Sequence, residues 1–244
     1  HSHHQHDHHG NRNIKIAFFL NLAFTILEIF GGLWTNSVAI LSDAVHDLGD
    51  SLSLGLSWFL QRYSQKRADH NFSFGYSRFS LLGAQINSLI LLSGSVLVLS
   101  KAIPRLFNPA QPKPEGMIVF ALIGITVNGA AALRLRKGSS VNEEVVSWHL
   151  LEDVLGWGAI LVVSIILYFK NIPILDPILS ILITLFILYN VIKNLKKILN
   201  VFLQGVPENI SIKEIEEEIR DKTEAITVHH THVWSLEGEN NFIS

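Results

Sequence analysis

The stretch Leu41-Ser42-Asp43-Ala44-Val45-His46-Asp47-Leu48-Gly49-Asp50 lies inside an otherwise apolar run, Val38–Leu60. A helix there gathers Asp43, His46, Asp47 and Asp50 within an arc of about 100° on one face. His46 and Asp50, four residues apart, can reach one point beside the helix. The spacing recurs in a second apolar run, Val145–Phe169, as His149-Leu150-Leu151-Glu152-Asp153. Ionisable groups in segments this apolar are costly in lipid, and they default to functional candidates.

Four further runs accompany these two: Ile14–Trp34, Phe79–Lys101, Gly116–Leu133 and Ile174–Ile192. Each approaches or exceeds the length a helix needs to cross about 30 Å of hydrocarbon. Thr35-Asn36-Ser37 is a tight turn, Pro104, Pro109, Pro112 and Pro114 make a proline-rich connector, and Pro173 and Pro177 break the chain before the sixth run. Composition agrees. Of 244 residues, 48% are hydrophobic and 16% charged, against about 25% charged in soluble domains, and the mean hydropathy is +0.32. The expectation is an all-α membrane protein, a six-transmembrane-helix bundle over 14–203. A net charge of −2 gives no argument for a nucleic-acid partner.

The spread of Lys and Arg orients the bundle. With a cytosolic N-terminus, twelve fall in inside segments (Arg12, Lys15, Arg62, Lys66, Arg67, Arg78, Arg134, Arg136, Lys137, Lys193, Lys196 and Lys197) and four outside (Lys101, Arg105, Lys113 and Lys170). The positive-inside rule then puts both termini in the cytosol. Residues 1–13 form a His-rich tail holding His1, His3, His4, His6, His8 and His9. It is read as a disordered, loosely metal-binding cytosolic tract, with a purification tag as the alternative. We read the chain as a fragment: 205–244 is taken as the N-terminal part of a truncated cytosolic α+β domain. There Ser211-Ile212-Lys213-Glu214 is a capping box, Ile212, Ile215 and Ile219 form one helical stripe, Val228–Leu236 reads as a strand, Gly238–Asn241 as a turn, and Phe242 opens a second strand.

The chemistry of the repeated spacing is specific. There is no cysteine and only one methionine, so a metal must be held by nitrogen and oxygen. His46, Asp50, His149 and Asp153 supply two imidazoles and two carboxylates, a set that suits tetrahedral Zn²⁺. Copper(I) prefers sulfur, and Ca²⁺ and Mg²⁺ prefer all-oxygen shells. The competing readings are interhelical polar packing or interfacial placement, the latter most pertinent to His149. A fifth helix beginning near Ser139–Asn142 would move His149 and Asp153 toward mid-membrane. Asp43, Asp47, Glu28 and Glu152 are read as electrostatic or packing groups rather than ligands. In the cytosolic segment His230 and His232 share a strand face and offer a chelating pair, with an ordinary surface strand as the alternative. Asp69 and His70 in the 61–79 connector are read as an ordinary loop.

These stretches, with Phe74-Gly75-Tyr76-Ser77-Arg78 and His232-Val233-Trp234-Ser235-Leu236, resemble the cation diffusion facilitator family, close to its bacterial CzcD/ZitB-like zinc-exporting branch. The resemblance covers the chain from residue 14 onward. It implies six spans, a homodimer, a ferredoxin-like cytosolic domain and Zn²⁺/H⁺ antiport across the bacterial inner membrane. The family's transport site maps onto His46, Asp50, His149 and Asp153, and its cytosolic metal site onto His229 and His232. His230 stands where Asp is frequent, and Trp157 where a small residue is often seen. The expected activity is metal efflux by alternating access. Zn²⁺ is the transported substrate and a regulatory ligand, protons are the counter-ion and the lipid bilayer is a partner. The expectation is a transporter, not an enzyme. A membrane zinc-dependent enzyme, a zinc sensor or buffer, and a channel are the alternatives.

Overall fold

The computed structural model describes residues 6–136, 141–223, 227–238 and 240–244. Its order is α1 (His6–Thr35), α2 (Val38–Ser64), α3 (Arg78–Phe107), α4 (Pro114–Leu135), α5 (Val141–Phe169), α6 (Leu175–Phe202), α7 (Ile212–Lys222), β1 (Val233–Ser235) and β2 (Asn241–Ile243). All six apolar runs are therefore helical, and most helices outrun them. α1 begins within the His-rich tract, of which residues 1–5 lie outside the described residues. α3 carries Pro104 in its last turn rather than stopping before it. α6 continues ten residues past Ile192.

Five helices are long and apolar enough to cross a membrane, within Phe18–Thr35, Arg78–Phe107, Pro114–Arg134, Ser147–Phe169 and Leu175–Phe202. Only 28–33% of each span is buried within the protein. The rest turns outward large apolar side chains such as Phe30, Leu97, Leu155 and Phe186, which suits hydrocarbon and not water. The protein is a multi-pass membrane protein. α2 has the length, at 27 residues, but its apolar run is interrupted by Asp43, His46, Asp47 and Asp50.

The chain forms two compact units. The first comprises residues up to Leu54 with Ile90–Tyr189. In it α4 packs along α5 and touches α1. Phe24, Ala39, Ile40, Met117, Ala121, Trp157, Ile160 and Leu167 form its core. Trp157 is fully buried, its ring 5.7 Å from that of Phe24. Its seat on α4 is Gly124, where any Cβ would overlap the indole. The bulk at position 157 is thus matched by a missing side chain opposite. Polar cross-links pin the other helices: Asn21 Nδ2 donates to Ser51 Oγ at 3.1 Å, and Ser42 and Thr184 share a hydrogen bond of 2.8 Å.

One end of this unit is tied by a buried carboxylate. Asp176, in the first turn of α6, accepts from the Ser37 hydroxyl at 2.5 Å and the Val38 amide at 2.8 Å. It thereby satisfies orphan donors at the start of α2, where a negative charge also meets the helix dipole. Asn36 takes a left-handed φ of 55°, and Arg105 donates to its carbonyl at 2.7 Å. The Lys113 amide donates to the Thr35 carbonyl at 2.8 Å. The connectors after α1, α3 and α5 therefore meet at one end.

The second unit comprises Gly55–Leu89 and Asn190–Ser244. Gln204 turns left-handed at φ 57°, and the Gly205 amide donates back to the Asn200 carbonyl at 2.8 Å, a Schellman-type stop for α6. The Ser211 Oγ accepts from the Glu214 amide at 3.3 Å, as the capping box requires. β1 and β2 pair antiparallel, with Trp234 opposite Phe242. The strand expected from Val228 is shorter than its alternation suggests. His230 takes φ 55°, which breaks the pleat, and regular pairing begins only at His232, whose amide and carbonyl both bond Ser244. Trp234 stacks on Phe242, which meets Phe74 of the α2–α3 connector. Within that connector Asp69 accepts from the Asn71 and Phe72 amides and the Tyr76 hydroxyl. These three donors hold its carboxyl below the ordinary carboxylate range.

Candidate metal centre

The two interrupted helices meet at their ionisable faces. His149 Nε2 lies 2.8 Å from Asp50 Oδ2, and His46 Nε2 lies 3.5 Å from the same oxygen. The imidazole rings stand 5.7 Å apart, edge to face. One ligand atom from each of His46, Asp50 and His149 lies within 4.8 Å of the other two. All three are partly exposed, with side-chain exposures of 25%, 21% and 38%, so an ion can reach them. His46 Nδ1 has no hydrogen-bond partner.

α5 begins at Val141, the earlier start that carries His149 and Asp153 deeper along the helix. Asp153 follows His149 by one turn and is buried. It does not join the 4.8 Å group; the His149 ring meets Asp50 across on α2. It is close enough to couple electrostatically to both His149 and His46. Glu152 is exposed, with an oxygen 3.9 Å from His149 Nδ1, at the rim of the cluster. In the second unit, His229 and His232 are exposed, and among the described residues neither belongs to a group of three metal-ligating side chains. Asp69 is committed to its connector, as described above.

Sequence reasoning underrated a second group. Glu28 of α1 and Asp43 and Asp47 of α2 each place a carboxylate oxygen within 4.8 Å of the others. The signal was available in part, since Glu28 is the one charged residue between Ile16 and Trp34. What pairs it with α2 is the rotation of one helix against another, which no single-helix pattern contains. Asp176 was also overlooked. Its cue, an acid in the first turn of a span, reads as ordinary helix-dipole chemistry until its partner helix is seen.

Residues 14–203 match the cation efflux transmembrane domain. The chain is 34% identical to the metal cation efflux system protein CzcD of Cupriavidus metallidurans over 96% of its own length and 75% of the relative's. It is 32% identical to the cadmium, cobalt and zinc/H⁺-K⁺ antiporter of Bacillus subtilis, covering 99% of this chain and 79% of that one. It is also 32% identical to the zinc transporter ZitB of Escherichia coli, over 92% and 73%. The chain belongs to the cation diffusion facilitator, or cation efflux, family.

Proposed function

We propose that this protein exports Zn²⁺ from the cytosol in exchange for protons, through an intramembrane site made by His46, Asp50, His149 and Asp153. The observation that carries the reading is the convergence of His46, Asp50 and His149 from two helices within 4.8 Å. Asp153 supplies the fourth ligand after a small rotation of α5, and two carboxylates then neutralise the dication. Two nitrogens and two oxygens favour zinc over the harder cations. The names of the relatives, which mention zinc, cadmium and cobalt, support the same class of cargo.

Proton coupling follows from the ligand set. Binding needs neutral imidazole and ionised carboxylate, so metal and protons exclude one another. Histidine, with an ordinary value of about 6.5, titrates where a cell can sustain a pH difference. Rocking of the helices exposes the site alternately to each side. Six spans, with α2 as the least apolar, cytosolic termini in the inner membrane and a homodimer complete the reading. His229 and His232 would bind regulatory zinc in the cytosolic segment.

The test is zinc uptake into inverted vesicles with an acidified lumen. Uptake with alkalinisation of the lumen is expected from the unmodified protein, and none from His149→Ala or Asp153→Ala. Undiminished uptake in both variants would refute the assignment.

A further inference from the structure

Glu28, Asp43 and Asp47 are 0%, 4% and 1% exposed, and among the described residues none of them forms an ion pair with Lys, Arg or His. Both oxygens of Glu28 and the Oδ2 atoms of Asp43 and Asp47 meet no hydrogen-bond donor. Glu28 arrives from a different helix, and its carboxylate meets only the pair on α2. Buried carboxylates persist when they are paired, hydrogen-bonded or coordinating a cation; Glu28 and Asp47 come within hydrogen-bonding reach of each other, and no partner comes from outside the cluster. Four free oxygens on three side chains, within reach of one point, are an oxygen-only coordination set.

Its position is informative. α2 starts at the end where the connectors after α1, α3 and α5 meet, and α5 finishes there. Moving toward that end along α2, Asp43 comes seven residues before Asp50, a rise of about 10 Å. Moving the same way along α5, Gly156 comes seven residues after His149, and the site of its missing Cβ lies 3.7 Å from Asp43 Oδ1. Both helices thus keep contact at two levels. Asp153 lies between them and couples electrostatically to Asp43 and Asp47 as well as to the histidines.

We propose that Glu28, Asp43 and Asp47 form a second divalent-cation station, which receives the cargo ion after it leaves His46, Asp50 and His149. The proposal rests on the function proposed above for the first site. Carboxylate oxygens bind zinc at about 2.0–2.2 Å, so oxygens within 4.8 Å of one another close on the ion with a small contraction. With the positively charged connectors in the cytosol, the station lies on the exit side. An oxygen-only shell, lacking imidazole, holds zinc more weakly and favours release.

The experiment measures zinc bound per polypeptide by the whole detergent-solubilised chain, using equilibrium dialysis at fixed free zinc followed by elemental analysis. Wild type is compared with Glu28→Gln, with Asp43→Asn and with the His46→Ala/His149→Ala double variant. Both amide substitutions preserve shape, and Asp43→Asn serves if Glu28→Gln elutes aggregated. The His-rich tract is common to all, so only differences are read. Each acid variant is expected to bind one equivalent fewer than wild type, to retain the affinity of the first site within about twofold, and to show an additive loss when combined with the double variant. Undiminished binding in both acid variants, with one equivalent lost from the double variant, overturns the second station and leaves the exporter reading intact. One equivalent lost from the acid variants alone supports the station and counts against the histidine site.

Discussion

The two ionisable clusters of the membrane unit share a helix and little else. His46, Asp50 and His149 contact one another, stand partly open and mix nitrogen with oxygen. Glu28, Asp43 and Asp47 are sealed, all-oxygen and without a partner from outside the cluster. The difference follows from position on α2. Residues 46 and 50 meet His149 of α5, and all three side chains stay partly exposed. Residues 43 and 47 turn toward α1, where Phe24, Trp157 and Ile160 close the core. Proximity alone does not make two clusters equivalent: one is partly open and mixes nitrogen with oxygen, and the other is closed and offers oxygen alone.

The sharpest way to break this contrast is to remove a ligand from the open cluster. Asp50→Ala should lower zinc affinity at least about 100-fold, since second-shell losses alone cost 10–100-fold, whereas Asp43→Asn should leave the first-site affinity unchanged. Isothermal titration of both variants measures this directly, and equal losses would erase the distinction.

Acid should act strongly on the open cluster. Each imidazole that must lose its proton to bind zinc makes the affinity fall as the pH falls. Dialysis with ⁶⁵Zn between pH 8 and pH 5.5 should show this fall, and the His46→Ala/His149→Ala variant should lose the steep component.

Packing behind the sealed cluster is tested at the Trp157 seat. Gly124→Ala places a Cβ against the indole and should destabilise the protein by about 1–3 kcal/mol, the usual cost of overpacking. Asp176→Ala should cost about 1–2 kcal/mol through the lost cap at the start of α2. Thermal unfolding in detergent ranks the two, and an unchanged midpoint for either would remove its contact from the account.

The smallest effect concerns the α2–α3 connector. Asp69 is held below the ordinary carboxylate range by Tyr76, Phe72 and Asn71. Its stabilisation is fully present above the unfolded value of about 3.9 and is lost as pH falls through the lower folded value. The protection factors of the Asn71 and Phe72 amides should therefore fall in acid in wild type, and already be low at pH 7 in Asp69→Ala.

Much of this architecture is legible in the sequence. Apolar length marks six helices, Ser211 and Glu214 mark the start of α7, and the paired His-x-x-x-Asp spacing marks the faces that meet. Helix ends are less legible, because Pro104 is tolerated in a last turn and α6 runs on through Lys193, Lys196 and Lys197. The shortened β1 escapes alternation because His230 leaves the extended region, a local choice its neighbours do not announce. The grouping of Glu28 with Asp43 and Asp47, and the cap from Asp176, need the relative rotation and depth of helices far apart in sequence. Periodicity gives each helix its face but not the partner of that face.

The central claim is that α2 and α5 jointly hold one zinc ion. An anomalous difference map at the zinc edge, from crystals of the whole chain grown with zinc, tests it most directly. The account predicts a peak bounded by His46, Asp50 and His149, with Asp153 drawn into its shell. Zinc bound elsewhere in the chain, with no peak among these side chains, would contradict it.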